Sequence, residues 1–111
     1  MIEIILALLL GVLIGIITGL TPGLHINVIA ALLISYSIFA LNIFSPLAII
    51  TFIIAMSVTH TFTDSIPSIF LGAPDSDQAL SVQPGHRLLF KGKGFEALYL
   101  TIIGSLLAVI L

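Results

Sequence analysis

The chain has 111 residues, of which 59% are hydrophobic and 7% are charged, and its mean hydropathy is +1.34. A soluble globular domain carries about 25% charged residues, so this composition excludes a water-soluble fold and indicates an integral membrane protein. The net charge of −2 argues against a nucleic-acid partner, and the absence of cysteine excludes disulfides and thiolate metal sites.

The first apolar segment covers residues 4–20. Its roughly 17 residues reach about 26 Å as a helix, which is enough to cross a bilayer core. Glu3 stands where a signal peptide would carry a basic residue, so we interpret the segment as a mature membrane helix. Gly11, Gly15 and Gly19 recur along one face of this helix and would let another helix approach closely. This stripe predicts tight helix packing, and a moving or gating interface is the alternative.

A break follows at Thr21, Pro22 and Gly23, because proline lacks an N–H group and disfavours helical geometry in the preceding residue. We expect Thr21 to cap a new helix with Pro22 at its first position. Free amides at such a helix start bind anions, as discontinuous helices do in secondary transporters. That function requires the turn to be buried near the bilayer midplane, and at the surface it would be only a loop. The second apolar segment, residues 24–41, comes next.

A third apolar segment begins near Pro46, with Ser45 as its expected N-cap, and passes into a polar series at residues 59–65. An ionisable side chain within a span costs about 2.5–3.5 kcal/mol at the helix centre and usually faces a cavity or a coupling ion. Asp64, surrounded by hydroxyls, would bind Na⁺ or carry a proton. Thr63 and Asp64 are therefore the candidate ion-coupling residues, and an interfacial aspartate at the helix end is the alternative.

His25, His60 and Asp64 raise the alternative of a metal site, since His60 and Asp64 are spaced to share one helical face. A third ligand would have to come from a separate helix, and lone intramembrane histidines more often hydrogen-bond a neighbour or relay protons. We predict no metal site, no cofactor and no catalytic residue. An intramembrane metal enzyme is the less favoured alternative.

The remaining chain carries one more helix restart, a polar surface region and a last apolar segment. Ser65, Ile66 and Pro67 predict the restart, which ends before residues 72–74. The capping-box spacing of Asp75 and Gln78 predicts a short surface helix that ends at residues 83–85. Residues 86–93 are amphipathic and basic, which favours the lipid interface on the cytoplasmic side. Residues 95–111 form the last apolar segment and have no closing polar flank, so we expect 1–111 to be a single transmembrane domain, an incomplete N-terminal part of a larger permease.

Residues 11–24, GVLIGIITGLTPGL, and residues 65–74, SIPSIFLGAP, resemble the large membrane subunit of tripartite tricarboxylate transporters. Residues 84–94, with Pro-Gly, a basic residue and Lys-Gly-Lys, match this family in the same order. The resemblance implies a permease of two related halves that takes up carboxylates with an ion gradient. It also implies two partners, an extracytoplasmic substrate-binding protein and a small membrane subunit.

This chain departs from the family where a glycine pair commonly precedes Ser-Ile-Pro, since it has Thr63 and Asp64 there. Asp75 and Asp77 stand where the family has small uncharged residues. Three acidic groups near an anion site would repel a carboxylate unless a cation intervenes. A cation bridge, or a different substrate, would remove this conflict.

We therefore expect an all-α integral membrane protein with about four hydrophobic segments, some discontinuous or re-entrant, in a repeat-based secondary transporter. It would lie in the cell membrane as a multi-pass protein and move small organic anions, such as tri- or dicarboxylates, with a coupling cation. A small scaffold protein whose glycine stripe packs against another subunit is the main alternative. By resemblance, the predicted substrate-binding residues are Thr21, Pro22, Gly23, Ser65, Ile66 and Pro67.

Overall fold

A computed structural model describes residues 1–72, 79–80 and 82–111 of the chain. Within these residues the secondary structure is entirely helical, as the sequence predicts. The seven helices are α1 (Ile2–Leu20), α2 (Ile26–Ser35), α3 (Ser37–Ile43), α4 (Pro46–Thr63), α5 (Ser65–Phe70), α6 (Gln83–Phe90) and α7 (Gly94–Ile110).

Two stretches of the described chain are long and apolar enough to cross a membrane. They are α1, with a mean hydropathy of 2.6, and the 25-residue stretch Pro46–Phe70 made of α4 and α5, with a mean hydropathy of 1.6. Helices α2 and α3 meet at a bend of 70° and count as a third span if the pair is taken together. Helix α7 is a shorter apolar helix. These four units correspond to the four predicted hydrophobic segments.

Helices α1 and α4 run in parallel and pack along most of their lengths. Near their starts, Glu3 Oε1 accepts a hydrogen bond from the backbone N–H of Ser45 at 2.7 Å. At the other end, Gly19 lies against Thr63. Because both helices run in the same direction, α2 and α3 must carry the chain back from the end of α1 to the start of α4. The bent pair is therefore a return crossing rather than a local hairpin.

The glycine stripe is the contact surface between these two helices. A Cβ atom on Gly11 would lie 2.7 Å from the Phe52 carbonyl oxygen, and one on Gly15 would lie 2.6 Å from that of Met56. These separations are shorter than real Cβ contacts, so only glycine permits this approach of the two backbones. The stripe is buried within the chain itself, against α4.

Helices α5, α6 and α7 form a second, smaller cluster at the far end of α4. The rings of Phe70 and Phe95 meet edge to face with centroids 5.8 Å apart. Gly94, at the start of α7, is buried against Leu89 and Phe70. Helix α7 then runs back past α5, and a cleft separates its Ser105 from Thr61 of α4.

The start of α4 confirms one local prediction, whereas the prediction for Thr21 is wrong. Ser45 caps α4, since its hydroxyl accepts the Ala48 N–H at 3.3 Å. Thr21 does not begin a new helix but ends α1 as its C-cap, and its hydroxyl donates to the Ile17 carbonyl at 2.7 Å. Gly23 has φ +85°, which interrupts any helix starting at Pro22. Helix α2 begins only at Ile26, after an extended His25. We call residues 21–23 the Thr-Pro-Gly turn.

Two further boundaries differ from the sequence-based expectations. The second apolar segment was expected to be one run, but it bends at Tyr36, where the Ser35 hydroxyl donates to the Ala31 carbonyl at 2.8 Å. Such back-bonding often bends helices. Residues 83–85 begin a helix instead of ending one, because proline is favoured in the first helical turn, where its missing N–H has no partner anyway. The predicted cap at Asp75 and Gln78 lies outside the described residues.

Replacing Gly15 with alanine should separate α1 from α4. The added Cβ would overlap the Met56 carbonyl oxygen and lie 2.7 Å from Thr59 Cβ. We expect the free energy of unfolding in mixed detergent micelles, followed by circular dichroism, to fall by about 1–3 kcal/mol, as for other overpacked sites. Gly104→Ala is the matched control, since a Cβ there meets nothing within 4 Å. Equal effects of the two changes would show that the stripe does not determine the packing.

Candidate functional site at the break after helix α1

A small cleft lies where the end of α1 and the Thr-Pro-Gly turn meet the junction of α4 and α5. Its polar lining comes mainly from Thr18, Thr21, His60, Asp64 and Ser68. Its volume is about 10 Å³, which is on the order of the space that one water molecule needs. In this conformation the cleft is closed to any organic substrate.

The cleft brings together predicted site residues that are about forty positions apart in the chain. Thr21, Pro22 and Gly23 line one side, while Asp64 and Pro67 line the other. The parallel packing of α1 and α4 causes this meeting, because it places the ends of both helices at the same level.

Three other predicted site residues do not line this cleft. The Thr63 hydroxyl is directed at backbone carbonyl oxygens, 2.9 Å from that of Thr59 and 3.2 Å from that of Gly15, so it contributes to helix packing. The Ser65 hydroxyl donates to the Phe62 carbonyl at 2.8 Å, and Ser65 lines a second cleft. Ile66 lines neither cleft.

A buried hydrogen bond joins the two packed helices inside the cleft. Nδ1 of His60 lies 3.0 Å from the Thr18 hydroxyl oxygen, and that hydroxyl lies 3.3 Å from the Gly15 carbonyl oxygen. His60 is only 4% exposed. Because Nδ1 is held by Thr18, Nε2 is the ring nitrogen that remains for an interaction with the cleft.

Thr18 was missed by the sequence analysis, and His60 was considered only as a metal ligand. A usable signal was present, since Thr18 is the single hydroxyl-bearing residue of α1 and follows Gly15 by three positions, close to the glycine face. A polar side chain on a helix-packing face in lipid needs a partner across the interface. The partner itself could not be named without the register between α1 and α4.

Asp64 occupies the joint between α4 and α5 and is 9% exposed. Helix α5 begins at Ser65 as expected, but the backbone remains helical through the joint. The Asp64 N–H donates to the His60 carbonyl at 2.9 Å, and the Asp64 carbonyl accepts the Ser68 N–H at 3.2 Å. Ser65 is therefore not an isolated helix start. The joint instead holds a carboxylate within a continuous apolar span.

A second cleft lies on the side of the joint that faces α7. It has a volume of about 310 Å³ and is lined by Thr61, Asp64, Ser65, Thr101 and Ser105, together with apolar residues and Gly85. Asp64 thus belongs to both clefts, while His60 and Ser65 each belong to only one.

Metal ligation receives no support from the part of the chain that the structure describes. In residues 1–72, 79–80 and 82–111 no three His, Asp or Glu side chains lie close enough together to hold a metal ion. His60 and Asp64 share the first cleft, but His25, the third predicted ligand, does not line it.

Apolar spans, a bent helix pair and a carboxylate at a helix joint define an all-α integral membrane protein with interrupted helices. The model of the tripartite tricarboxylate transporter TctA family matches residues 5–111, and the chain belongs to this family. The resemblance found in the sequence motifs is thereby confirmed.

The chain is also similar to a longer protein from an archaeon. The chain is 44% identical over 88 residues to an uncharacterized protein of Methanocaldococcus jannaschii, and this match covers 79% of the chain and 21% of that protein. The chain therefore spans about a fifth of the length of this relative. No solved structure matches the chain significantly.

Replacing Thr18 with valine should weaken the contact between α1 and α4 at the cleft. Valine keeps the shape but leaves the buried His60 Nδ1 without its partner, which costs about 1–3 kcal/mol in free energy of unfolding. Thr51→Val is the matched control, since the Thr51 hydroxyl donates only to its own helix, to the Leu47 carbonyl at 2.8 Å.

A double-mutant cycle in detergent micelles measures the Thr18–His60 interaction directly. Combining Thr18→Val with His60→Ala should cost less than the sum of the two single changes, because both remove the same hydrogen bond. Strictly additive costs would show that the two side chains do not interact.

Proposed function

We propose that the chain forms part of a permease for ion-coupled uptake of small organic anions such as tri- or dicarboxylates. The observation that carries this proposal is the cleft that joins the Thr-Pro-Gly turn to Asp64 and Pro67 within two apolar spans. Membership of the tripartite tricarboxylate transporter TctA family supports the substrate class. The partners proposed with it are an extracytoplasmic substrate-binding protein and a small membrane subunit.

The Thr-Pro-Gly turn supplies the side of the cleft suited to an anion. It lies two residues before α2, a helix of ten residues whose N-terminal end carries unsatisfied amide groups and a positive partial charge. The positive φ of Gly23 exposes backbone at the turn, and a Cβ there would meet nothing within 4 Å. On this proposal, the substrate carboxylate binds at the turn with Pro67 on the opposite wall, whereas the predicted residues Ser65 and Ile66 lie outside this cleft.

Asp64 supplies the side suited to a cation. Its carboxylate would repel an anionic substrate in the same cleft, at about 4 kcal/mol for two unit charges 4 Å apart under an effective dielectric constant of 20. A bound cation or a proton removes this repulsion, so the anion and the cation bind together. Asp64 is thus the proposed coupling residue, and Thr63 supports it from the helix interface.

The parallel course of α1 and α4 also supports a proposed orientation of the protein in the membrane. The end of α1, the end of α5 and the basic residues Arg87, Lys91 and Lys93 lie on the same side of the spans. Cytoplasmic loops carry the excess of Lys and Arg. The cleft would then lie toward the cytoplasmic side, with the start of α1 outside, in a multi-pass protein of the cell membrane.

The scaffold alternative depends on a glycine stripe that packs against another subunit. In this chain Gly11, Gly15 and Gly19 are occupied by α4. The stripe is therefore not available to a partner while α1 and α4 are packed, and we do not favour this function.

Cysteine labelling tests the substrate cleft. Single cysteines at Pro22 and Pro67 would be placed in the protein, expressed at the length its gene encodes, without other cysteines. A hydrophilic maleimide should label the exposed position 22 readily and the buried position 67 more slowly, when the cleft opens to admit substrate. Citrate at about ten times its Kd, with Na⁺ present, should slow the labelling about tenfold. At that concentration only about a tenth of the sites is unoccupied and able to react.

Lys93→Cys provides the control, since the Lys93 side chain is 56% exposed and lies outside the cleft. Its labelling rate should not respond to citrate. If no di- or tricarboxylate slows labelling at Pro22 and Pro67 in either Na⁺ or a proton gradient, the proposed substrate cleft is wrong.

A further inference from the structure

The second cleft, between the α4–α5 joint and α7, holds five oxygen-bearing side chains beside Ile69, Val82 and Gly85. Thr61 comes from α4, Ser65 from α5, Thr101 and Ser105 from α7, and Asp64 lies at the joint. Such a concentration of hydroxyls around one carboxylate is costly inside an apolar span unless the oxygens have partners. Whether these oxygens donate or accept hydrogen bonds therefore indicates the kind of ligand that the cleft can bind.

Three of these four hydroxyls donate their single hydrogen to a backbone carbonyl three or four residues earlier in the chain. The Thr61 hydroxyl donates to Ser57 at 2.9 Å, the Ser65 hydroxyl to Phe62 at 2.8 Å and the Thr101 hydroxyl to Ala97 at 2.9 Å, each at a backbone carbonyl. A hydroxyl that has donated its hydrogen keeps only acceptor lone pairs. These oxygens therefore suit a cation and disfavour a carboxylate.

The types of residue that line the cleft indicate which class of cation it suits. Among the described residues that line the cleft, Asp64 carries the one carboxyl group and the hydroxyl residues are neutral. Hard oxygen ligands suit alkali and alkaline-earth ions, and divalent ions in proteins are usually held by several carboxylates or by substrate phosphates. A volume of about 310 Å³ leaves room for an ion that keeps part of its water shell.

We propose that Asp64, Ser65 and Thr101, with Thr61 and Ser105 around them, form a Na⁺ site in the second cleft. This inference rests on the cation coupling of the proposed function and gives it a location. Helix α7 completes the site, and the Thr-Pro-Gly turn has no part in it. Among the residues that the structure describes, Asp64 is the one that lines both clefts.

Na⁺ binding without any organic substrate tests the site. The protein, purified at the length its gene encodes, would be titrated with NaCl in a calorimeter, with choline chloride holding the ionic strength constant. Thr101→Val removes one ligand oxygen and keeps the side-chain shape. It should weaken Na⁺ binding about tenfold, as expected for the loss of one polar contact. Asp64→Asn should abolish the binding.

Thr51→Val is the matched control. Its hydroxyl makes the same type of bond, to the carbonyl four residues earlier, but Thr51 lies in a different, apolar groove beside Leu8 and Val12. Na⁺ affinity should be unchanged by Thr51→Val, and the melting temperatures of both valine variants without Na⁺ should match that of the parent.

The outcomes separate the two proposals. A lack of Na⁺ binding by the parent, or equal affinities for Thr101→Val and Thr51→Val, overturns the site. Equal affinities of the parent for Na⁺ and Mg²⁺ overturn the assignment to a monovalent ion. If Na⁺ binds and depends on Thr101 while no carboxylate is transported or protects the first cleft, the Na⁺ site stands and the proposed function fails.

Discussion

The close parallel packing of α1 on α4 is the constraint on which the rest of the structure depends. Lipid gives apolar helices no hydrophobic reason to associate, so close backbone packing and interhelical hydrogen bonds must hold them together. The missing Cβ atoms of Gly11, Gly15 and Gly19 permit that packing and fix its register. The register in turn places Thr18 beside His60 and the Thr-Pro-Gly turn beside Asp64. The return crossing by α2 and α3 follows from the same constraint.

Polar side chains in these spans are accommodated mainly by local backbone bonds. Hydroxyls along α4 and α7 donate to carbonyls of their own helices, which removes the cost of an unsatisfied donor in lipid. The same bonds turn the hydroxyl oxygens into acceptors. The same hydrogen bonds therefore remove the cost of burying the hydroxyl donors and leave the hydroxyl oxygens suited to a cation.

Local signals in the sequence predicted the elements that depend on local chemistry. Ser45 followed by Pro46 gave the start of α4, the Ser-Ile-Pro stretch gave the start of α5, and the glycine spacing indicated a packing face. Competing partners caused the errors. The Thr21 hydroxyl bonds back to α1 instead of capping forward, and the Ser35 hydroxyl bonds back where the helix bends at Tyr36.

Features that depend on the register between helices could not be predicted from one sequence. The candidate site was found in part, since Asp64 and the Thr-Pro-Gly turn were identified separately but not as neighbours. Thr101 and Ser105 were not identified, because nothing in α7 indicates which side of α4 and α5 it covers. To predict that the Thr-Pro-Gly turn meets Asp64, one must know that α1 and α4 run in the same direction. That direction is set by contacts along the whole interface between the two helices.

On the proposed function, the position of Asp64 between two clefts would make the two binding events depend on each other. A cation in the second cleft would neutralise the Asp64 carboxylate that an anion at the Thr-Pro-Gly turn would otherwise face. Linkage requires the reverse effect as well, so the bound anion must raise the affinity for the cation by the same factor. On this proposal, a carboxylate shared by two separate clefts would couple them without a long pathway of moving residues.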